Sequence, residues 1–199
     1  ARGVQVVVVD HHPPAAELPR CTALVNPWLA PRDGPDALFP HFCGTAMAWL
    51  LAWGVLRRLH GPDALPPPAR RFMNAAAGLV ALATVADVMP LLGPNRALVA
   101  SGVRVLADSG LPGLRALLGA CGVRGAPSVQ DLAFRVAPRL NAAGRLQRGE
   151  TAFRLLAATG AAEAQRLCAE LEALNRERRD IQEREMRRLA PQIEEQQRA

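Results

Sequence analysis

The 199-residue sequence contains no lysine and no tyrosine, and only 4% of it is aromatic. Every basic side chain is therefore an arginine, 24 of them against 18 acids, and the formal charge is +6. No run of 18 apolar residues escapes a charge, a proline or a polar break, which argues against a membrane-spanning helix. No short basic-then-apolar leader opens the chain, so a secretory signal is not expected. The expectation is a soluble, cytoplasmic protein. Cys21, Cys43, Cys121 and Cys168 lie far apart without a C-x-x-C pair, a spacing that suggests neither a zinc knuckle nor a dense disulfide framework. They read as reduced thiols. Half of the residues are hydrophobic, which excludes disorder and collagen-like composition and is enough for a substantial core.

The charge is unevenly placed. The first 160 residues hold 16 arginines against 9 acids, whereas the last 39 hold 8 against 9. The excess belongs to the globular part and favours a polyanionic partner, because the planar guanidinium fork grips phosphate oxygens in pairs. A basic solubility surface accounts for the same charge, and the preference for arginine partly reflects codon usage.

Val4 to Val9 is a β-branched run broken only by Gln5 and stopped by Asp10-His11-His12-Pro13-Pro14. It predicts a buried strand of a parallel sheet, with polar residues at its carboxyl end, where open α/β sheets bind ligands. A second strand is expected at Thr22 to Val25, then a loop from Pro31 to Pro40 containing Gly34 and Pro35. Cys43 to Leu59 reads as a helix apolar on nearly all sides, stopped by Gly61-Pro62, and Leu65 to Pro68 as a connector. Ala69 to about Val85 reads as a further helix that delivers Asp87 before Pro90. Shorter helices are expected at Asn95 to Ala107, Leu111 to Leu118, Val129 to Val136 and Thr151 to Ala157, with Pro138 to Arg145 as a polar break. From Ala161 a long charged helix carries a narrow stripe of Leu167, Leu171, Leu174, Ile181 and Leu189, and Pro191 is its one stop signal. Few strand candidates accompany the first, so the chain reads as an interior segment of a larger protein.

Adjacent histidines at a strand end can place one imidazole on a metal and leave the other for substrate, since successive side chains on an extended backbone point to opposite sides. A solvent-exposed pair in a turn is the plainer alternative. Asp10 favours the first, because a carboxylate beside a ligating imidazole fixes its tautomer. Asp87 lies within the apolar stretch Thr84 to Pro90, where an unpaired buried carboxylate would cost several kcal/mol. A metal ion or an arginine such as Arg96 would compensate, or Asp87 would cap the helix opening near Pro90 or Asn95.

Asp10-His11-His12 after a valine strand resembles the signature of the DHH phosphoesterase superfamily. Three more stretches narrow the likeness: Val25-Asn26-Pro27; Thr84 to Leu91 with Asn95-Arg96; and Ala137-Pro138-Arg139-Leu140-Asn141-Ala142-Ala143-Gly144-Arg145-Leu146. In this order they resemble the RecJ branch, the 5′-to-3′ exonucleases specific for single-stranded DNA. Leu174 to Arg179 is similar to that family's long helix between two catalytic domains. The resemblance implies an α/β fold, a DHH-type parallel-sheet domain. Residues 1–160 would be its mostly helical C-terminal part, and residues 161–199 a connector to a second catalytic domain.

It further implies that His11 and Asp87 are ligands of one of two divalent ions, Mn2+ or Mg2+, that His12 faces the scissile phosphate, and that Asp10 supports the histidines. Arg139, Asn141 and Arg145 would contact substrate phosphates. Neutral imidazole and carboxylate suit Mn2+, and two such ions would clamp a phosphodiester for in-line attack by water. The implied activity is hydrolysis of single-stranded DNA to mononucleotides in DNA repair and recombination, by a monomer assisted by a single-strand-binding protein or a helicase. Family members draw further metal aspartates from motifs before the histidine pair, and only nine residues precede Asp10. The chain alone is therefore expected to be inactive and to bind Mn2+ poorly. Two alternatives stay open: a DHH phosphoesterase acting on oligoribonucleotides, cyclic dinucleotides or polyphosphate, and a non-enzymatic helical module that binds nucleic acid.

Overall fold

A computed structural model describes residues 3–31, 33, 38–61, 65–108 and 110–198. Gly34, Pro35 and Pro62 lie outside the described residues. The chain forms two compact units, Ala1–Ser109 with Gly125–Leu132, and Gly110–Arg124 with Ala133–Ala199.

In the first unit, β1 (Val7–Val9) and β2 (Ala23–Val25) pair in parallel, Val7 opposite Ala23 and Val9 opposite Val25. The strand expected from Val4 to Val9 is thus shorter, and it is not buried: Val4, Val6 and Val7 are exposed. Among the described residues β1 has one strand neighbour and packs against α1 (Gly44–His60), so its remaining surface has nothing to cover it. The same holds for α1, of which only Ala46 and Met47 are buried, while Leu51, Trp53, Val55 and Leu59 face outward despite their apolar character.

Helix α1 opens where the Cys43 thiol accepts the Ala46 N–H at 3.4 Å and closes at Gly61, whose φ of +92° only glycine adopts readily. Helix α2 (Pro67–Ala86) begins inside the expected proline connector. Proline in a first turn loses no hydrogen bond and brings a helical φ, so Pro67 and Pro68 start the helix rather than precede it. α2 packs most extensively on α3 (Gly93–Ala107). Small residues set this approach: a Cβ on Gly102 would stand 2.3 Å from the Ala77 carbonyl oxygen and 2.5 Å from the Ala81 Cβ. Beneath the ends of these elements lies a core of Cys43, Ala46 and Val80, with Phe42, Trp49, Ala83, Met89 and Leu98 packed against it.

The second unit is helical: α4 (Pro112–Ala120), α6 (Ala137–Arg145), α7 (Gly149–Ala157) and α8 (Ala161–Arg198), the last packing on the other three. Between α5 (Val129–Asp131), capped by Ser128 and Asp131, and α6 the backbone makes a π turn over Leu132–Val136. The expected polar break at Pro138 to Arg145 is α6 itself. Pro138 again occupies a first turn, and Ala142 and Ala143 are good helix formers that are buried. Nor is α8 a bare connector. Ala164, Leu167, Cys168, Leu171 and Leu174 are core residues of this unit, whereas Ile181 and Leu189 of the same stripe are exposed. The helix runs on through Pro191.

Gly102→Ala forces α2 and α3 apart and should lower the unfolding free energy by about 1–3 kcal/mol. Urea denaturation checks it; an unchanged midpoint would mean that the close crossing is not needed.

Candidate metal centre at the end of β1

The carboxyl end of β1 and the carboxyl end of α2 meet. Asp87 ends α2, where the Val88 N–H donates to the Val85 carbonyl and the Met89 N–H to the Thr84 carbonyl, a Schellman closure. Closing the helix in this way puts Val88 at φ +55°, a left-handed conformation rare for a β-branched residue, with its side chain 86% exposed. Asp87 neither caps α3, whose N-cap is Leu92, nor points into the core. Its Oδ2 stands 3.8 Å from the His11 Nδ1. That is too long for a hydrogen bond and short enough for one cation to touch both atoms.

His12 turns out differently from the alternation expected of an extended chain. The two imidazoles lie on one side, their ring centroids 4.1 Å apart and inclined at 40°. β1 has ended at Val9 and the backbone bends at His12, so strand alternation no longer governs the side chains. The His11 side chain is 15% exposed and the His12 side chain 71%. Asp10 Oδ1 lies 2.8 Å from His12 Nδ1, and this hydrogen bond holds the Asp10 carboxyl below the usual carboxylate range. Asp10 thus supports His12, fixing which ring nitrogen faces outward.

A cleft of about 210 Å³ opens over these groups, its far wall formed by Trp28, Pro40, His41, Met89 and Pro90. His41 is a residue that sequence reasoning missed: it follows a proline-rich loop and carries no spacing signal. Its ring stands edge-on to Trp28 at 5.3 Å, and its carbonyl accepts a 2.7 Å hydrogen bond from the fully buried Asn95 amide. The same amide donates to the Pro90 carbonyl at 3.0 Å, so Asn95 ties two lining segments together. Below them the Cys43 thiol and the Thr84 hydroxyl are 3.5 Å apart.

The structure therefore brings Asp10, His11, His12 and Asp87 together in the first unit. Arg139, Asn141 and Arg145 belong to α6 in the second. Arg139 is engaged within that unit: its guanidinium pairs with Glu172 and donates at 2.6 Å to the Arg135 carbonyl. These contacts tie Arg139 into the packing of α6 on α8. Asn141 and Arg145 are exposed. All four cysteines are free, and burial pushes the Cys121 and Cys168 thiols up, as expected of unreactive core residues.

As a metal site the cluster is partial. Imidazole and carboxylate are the right donors for Mn2+ or Mg2+, but among the described residues no three His, Cys, Asp or Glu side chains are placed to hold one ion together. No described helix is long and apolar enough to cross a membrane.

No family model matches the chain. It is 42% identical over 194 residues to the single-stranded-DNA-specific exonuclease RecJ of Thermus thermophilus, an alignment covering 96% of this chain and 26% of that protein. Its fold superposes on the crystal structure of the Thermus thermophilus RecJ in complex with Mn2+ with a TM-score of 0.82, covering 96% of this chain and 27% of that one. Over nearly its whole length the chain is similar to one segment of the RecJ proteins. The RecJ proteins of Dickeya dadantii and Escherichia coli are 39% and 37% identical, each aligned over 91% of this chain and 32% of theirs. A manganese-bound RecJ structure matches with a TM-score of 0.81, 96% of this chain against 45% of that one. The chain thus spans about a quarter to a third of the length of the RecJ proteins of Thermus thermophilus, Dickeya dadantii and Escherichia coli.

The depressed Asp10 value gives a sign to its pH dependence. The contribution of the ionised carboxylate is in place above the ordinary carboxylate range and is lost as pH falls through the lowered value. In carboxyl-detected NMR, Asp10 should titrate below an ordinary aspartate, and His12→Ala should raise it; a midpoint indifferent to that substitution contradicts the pairing.

Proposed function

We propose that this chain supplies the His11–Asp87 part of the cation centre of a metal-dependent phosphodiesterase. The enzyme would degrade single-stranded DNA from its 5′ end and release mononucleotides. The observation that carries the reading is the 3.8 Å approach of His11 Nδ1 to Asp87 Oδ2, made by residues 76 positions apart in a chain similar to one segment of the RecJ proteins. A divalent cation bound there, Mn2+ or Mg2+, supplies Lewis acidity and charge neutralisation for the attacked phosphodiester.

The chain's own residues do the rest. His11 and Asp87 hold the cation from a strand end and a helix end. With Nδ1 tied to Asp10, His12 has Nε2 free to exchange a proton with a phosphodiester oxygen, and the Asp10 carboxylate stabilises the protonated ring. Asn141 and Arg145 are assigned to substrate phosphates, and Arg139 to the support of their helix. The domain reading follows the same family likeness: residues 1–160 form the C-terminal part of a DHH domain, and α8 leads toward a second catalytic domain. The isolated chain, with two donors of an incomplete set, is inactive on this reading.

In the full-length enzyme, His12→Ala should lower kcat on 5′-labelled single-stranded DNA by about a hundredfold to ten-thousandfold. DNA affinity should change little, and Asp87→Ala should weaken Mn2+ retention. A preference of the unsubstituted enzyme for a dinucleotide over the long strand would reject DNA as the substrate, and wild-type activity of both variants would reject the site.

A further inference from the structure

The β1–β2 ladder stops one residue pair before the functional side chains. Continuing the register from Val9 opposite Val25 would set His11 opposite Pro27. The last ladder bond runs from the Asp10 N–H to the Val25 carbonyl at 3.0 Å. Pro27 has no N–H to extend it, and the backbone turns away into a 3-10 turn over Pro27–Leu29. Past the ladder the backbone of His11 and His12 is irregular, and their carbonyls need partners from outside the sheet.

Two side chains supply those partners. The Trp28 indole Nε1–H donates to the His11 carbonyl at 3.0 Å, and the Asn26 Nδ2–H donates to the His12 carbonyl at 3.0 Å. Asn26 also accepts the Trp28 backbone N–H on its Oδ1 at 2.9 Å, which caps the turn that carries the indole. Asn26 is buried, so its amide has few other partners to choose from. The two clamps are therefore one device: Asn26 sets the turn, the turn aims Trp28, and together they pin consecutive peptide units just after the strand.

We infer that Asn26 and Trp28 are positioning residues that hold the backbone of the histidine pair, and through it the His11 imidazole, in the geometry that lets His11 and Asp87 share a cation. Asp87 arrives on the rigid, closed end of α2. His11, by contrast, sits beyond the strand on irregular backbone, where a small rotation of its peptide would carry Nδ1 away from Asp87. A ligand held by side-chain hydrogen bonds to its own backbone needs those bonds to stay preorganised. This inference rests on the cation-binding reading of the site.

The test compares two indole hydrogen bonds of the same kind. Trp49 Nε1–H donates to the Met73 carbonyl at 2.9 Å, in the core of the same unit and outside the lining of the cleft. In the full-length enzyme, Trp28→Phe and Trp49→Phe each remove one N–H···O bond and keep an aromatic ring. Calorimetric titration with Mn2+ alone should show a dissociation constant raised about tenfold for Trp28→Phe and unchanged for Trp49→Phe, whatever each does to the thermal midpoint. On single-stranded DNA, Trp28→Phe should lower kcat while KM stays close to that of the unsubstituted enzyme. Asn26→Ser keeps a cap for the Trp28 N–H but cannot reach the His12 carbonyl, so it should weaken Mn2+ binding as well and serves if Trp28→Phe does not fold. Mn2+ affinity equal to that of the unsubstituted enzyme in the folded variants overturns the clamp and leaves the site reading standing. Failure of the unsubstituted enzyme to bind Mn2+ at all overturns that reading, and the clamp with it.

Discussion

The meeting of two element ends, one of a strand and one of a helix, is the constraint on which the rest of the site depends. A strand end gives up its ladder and a helix end leaves its last carbonyls unserved, so both places need local partners. α2 solves this with a Schellman closure at Asp87 that holds Val88 at φ +55°. An L-residue in that region pays about 1–2 kcal/mol in steric strain. Strain of this kind persists where the surroundings over-determine the backbone. Here those surroundings include the Cys43–Thr84 contact below the helix end and the Asn95 amide that joins the His41 and Pro90 carbonyls. Buried polar groups thus brace the segments that line the cleft.

Much of this was legible because it depends on short-range chemistry. A valine run halted by Asp-His-His-Pro-Pro marks a strand and its polar end whatever the tertiary context, and a lone aspartate between an apolar helix and a proline marks a helix terminus. What escaped depends on longer-range facts. The side on which His11 and His12 lie is decided by the bend after β1, not by strand alternation, and so the imidazoles are neighbours. The α6 helix was hidden because Pro138 reads as a breaker until its place in a first turn is known, and a π turn such as Leu132–Val136 has no sequence signature of its own. His41 enters the site through packing alone. The burial expected of β1 and α1 was overestimated because apolar composition shows that a surface prefers cover, while the described residues cover only part of it.

The second unit shows the same division between charge and packing. Arg139 stands among residues that resemble a substrate loop, yet Glu172 and the Arg135 carbonyl occupy its guanidinium, so position in a motif did not reveal its partner. Along α8 the apolar stripe is core only as far as Leu174. Past Arg178 the helix is exposed, and it carries close-spaced pairs such as Glu183–Arg187 and Glu185–Arg188. Pairs of this type contribute a few tenths of a kcal/mol each and keep a solvated helix soluble and straight. One helix therefore both completes a core and projects from it.

The central claim is that His11 and Asp87 bind one divalent cation together. Anomalous diffraction from crystals of the full-length enzyme soaked in Mn2+ tests it most directly. The account predicts a manganese peak within bonding distance of an Asp87 carboxylate oxygen and a His11 ring nitrogen at once. Manganese bound elsewhere, with these two side chains contacting only each other or solvent, would contradict it.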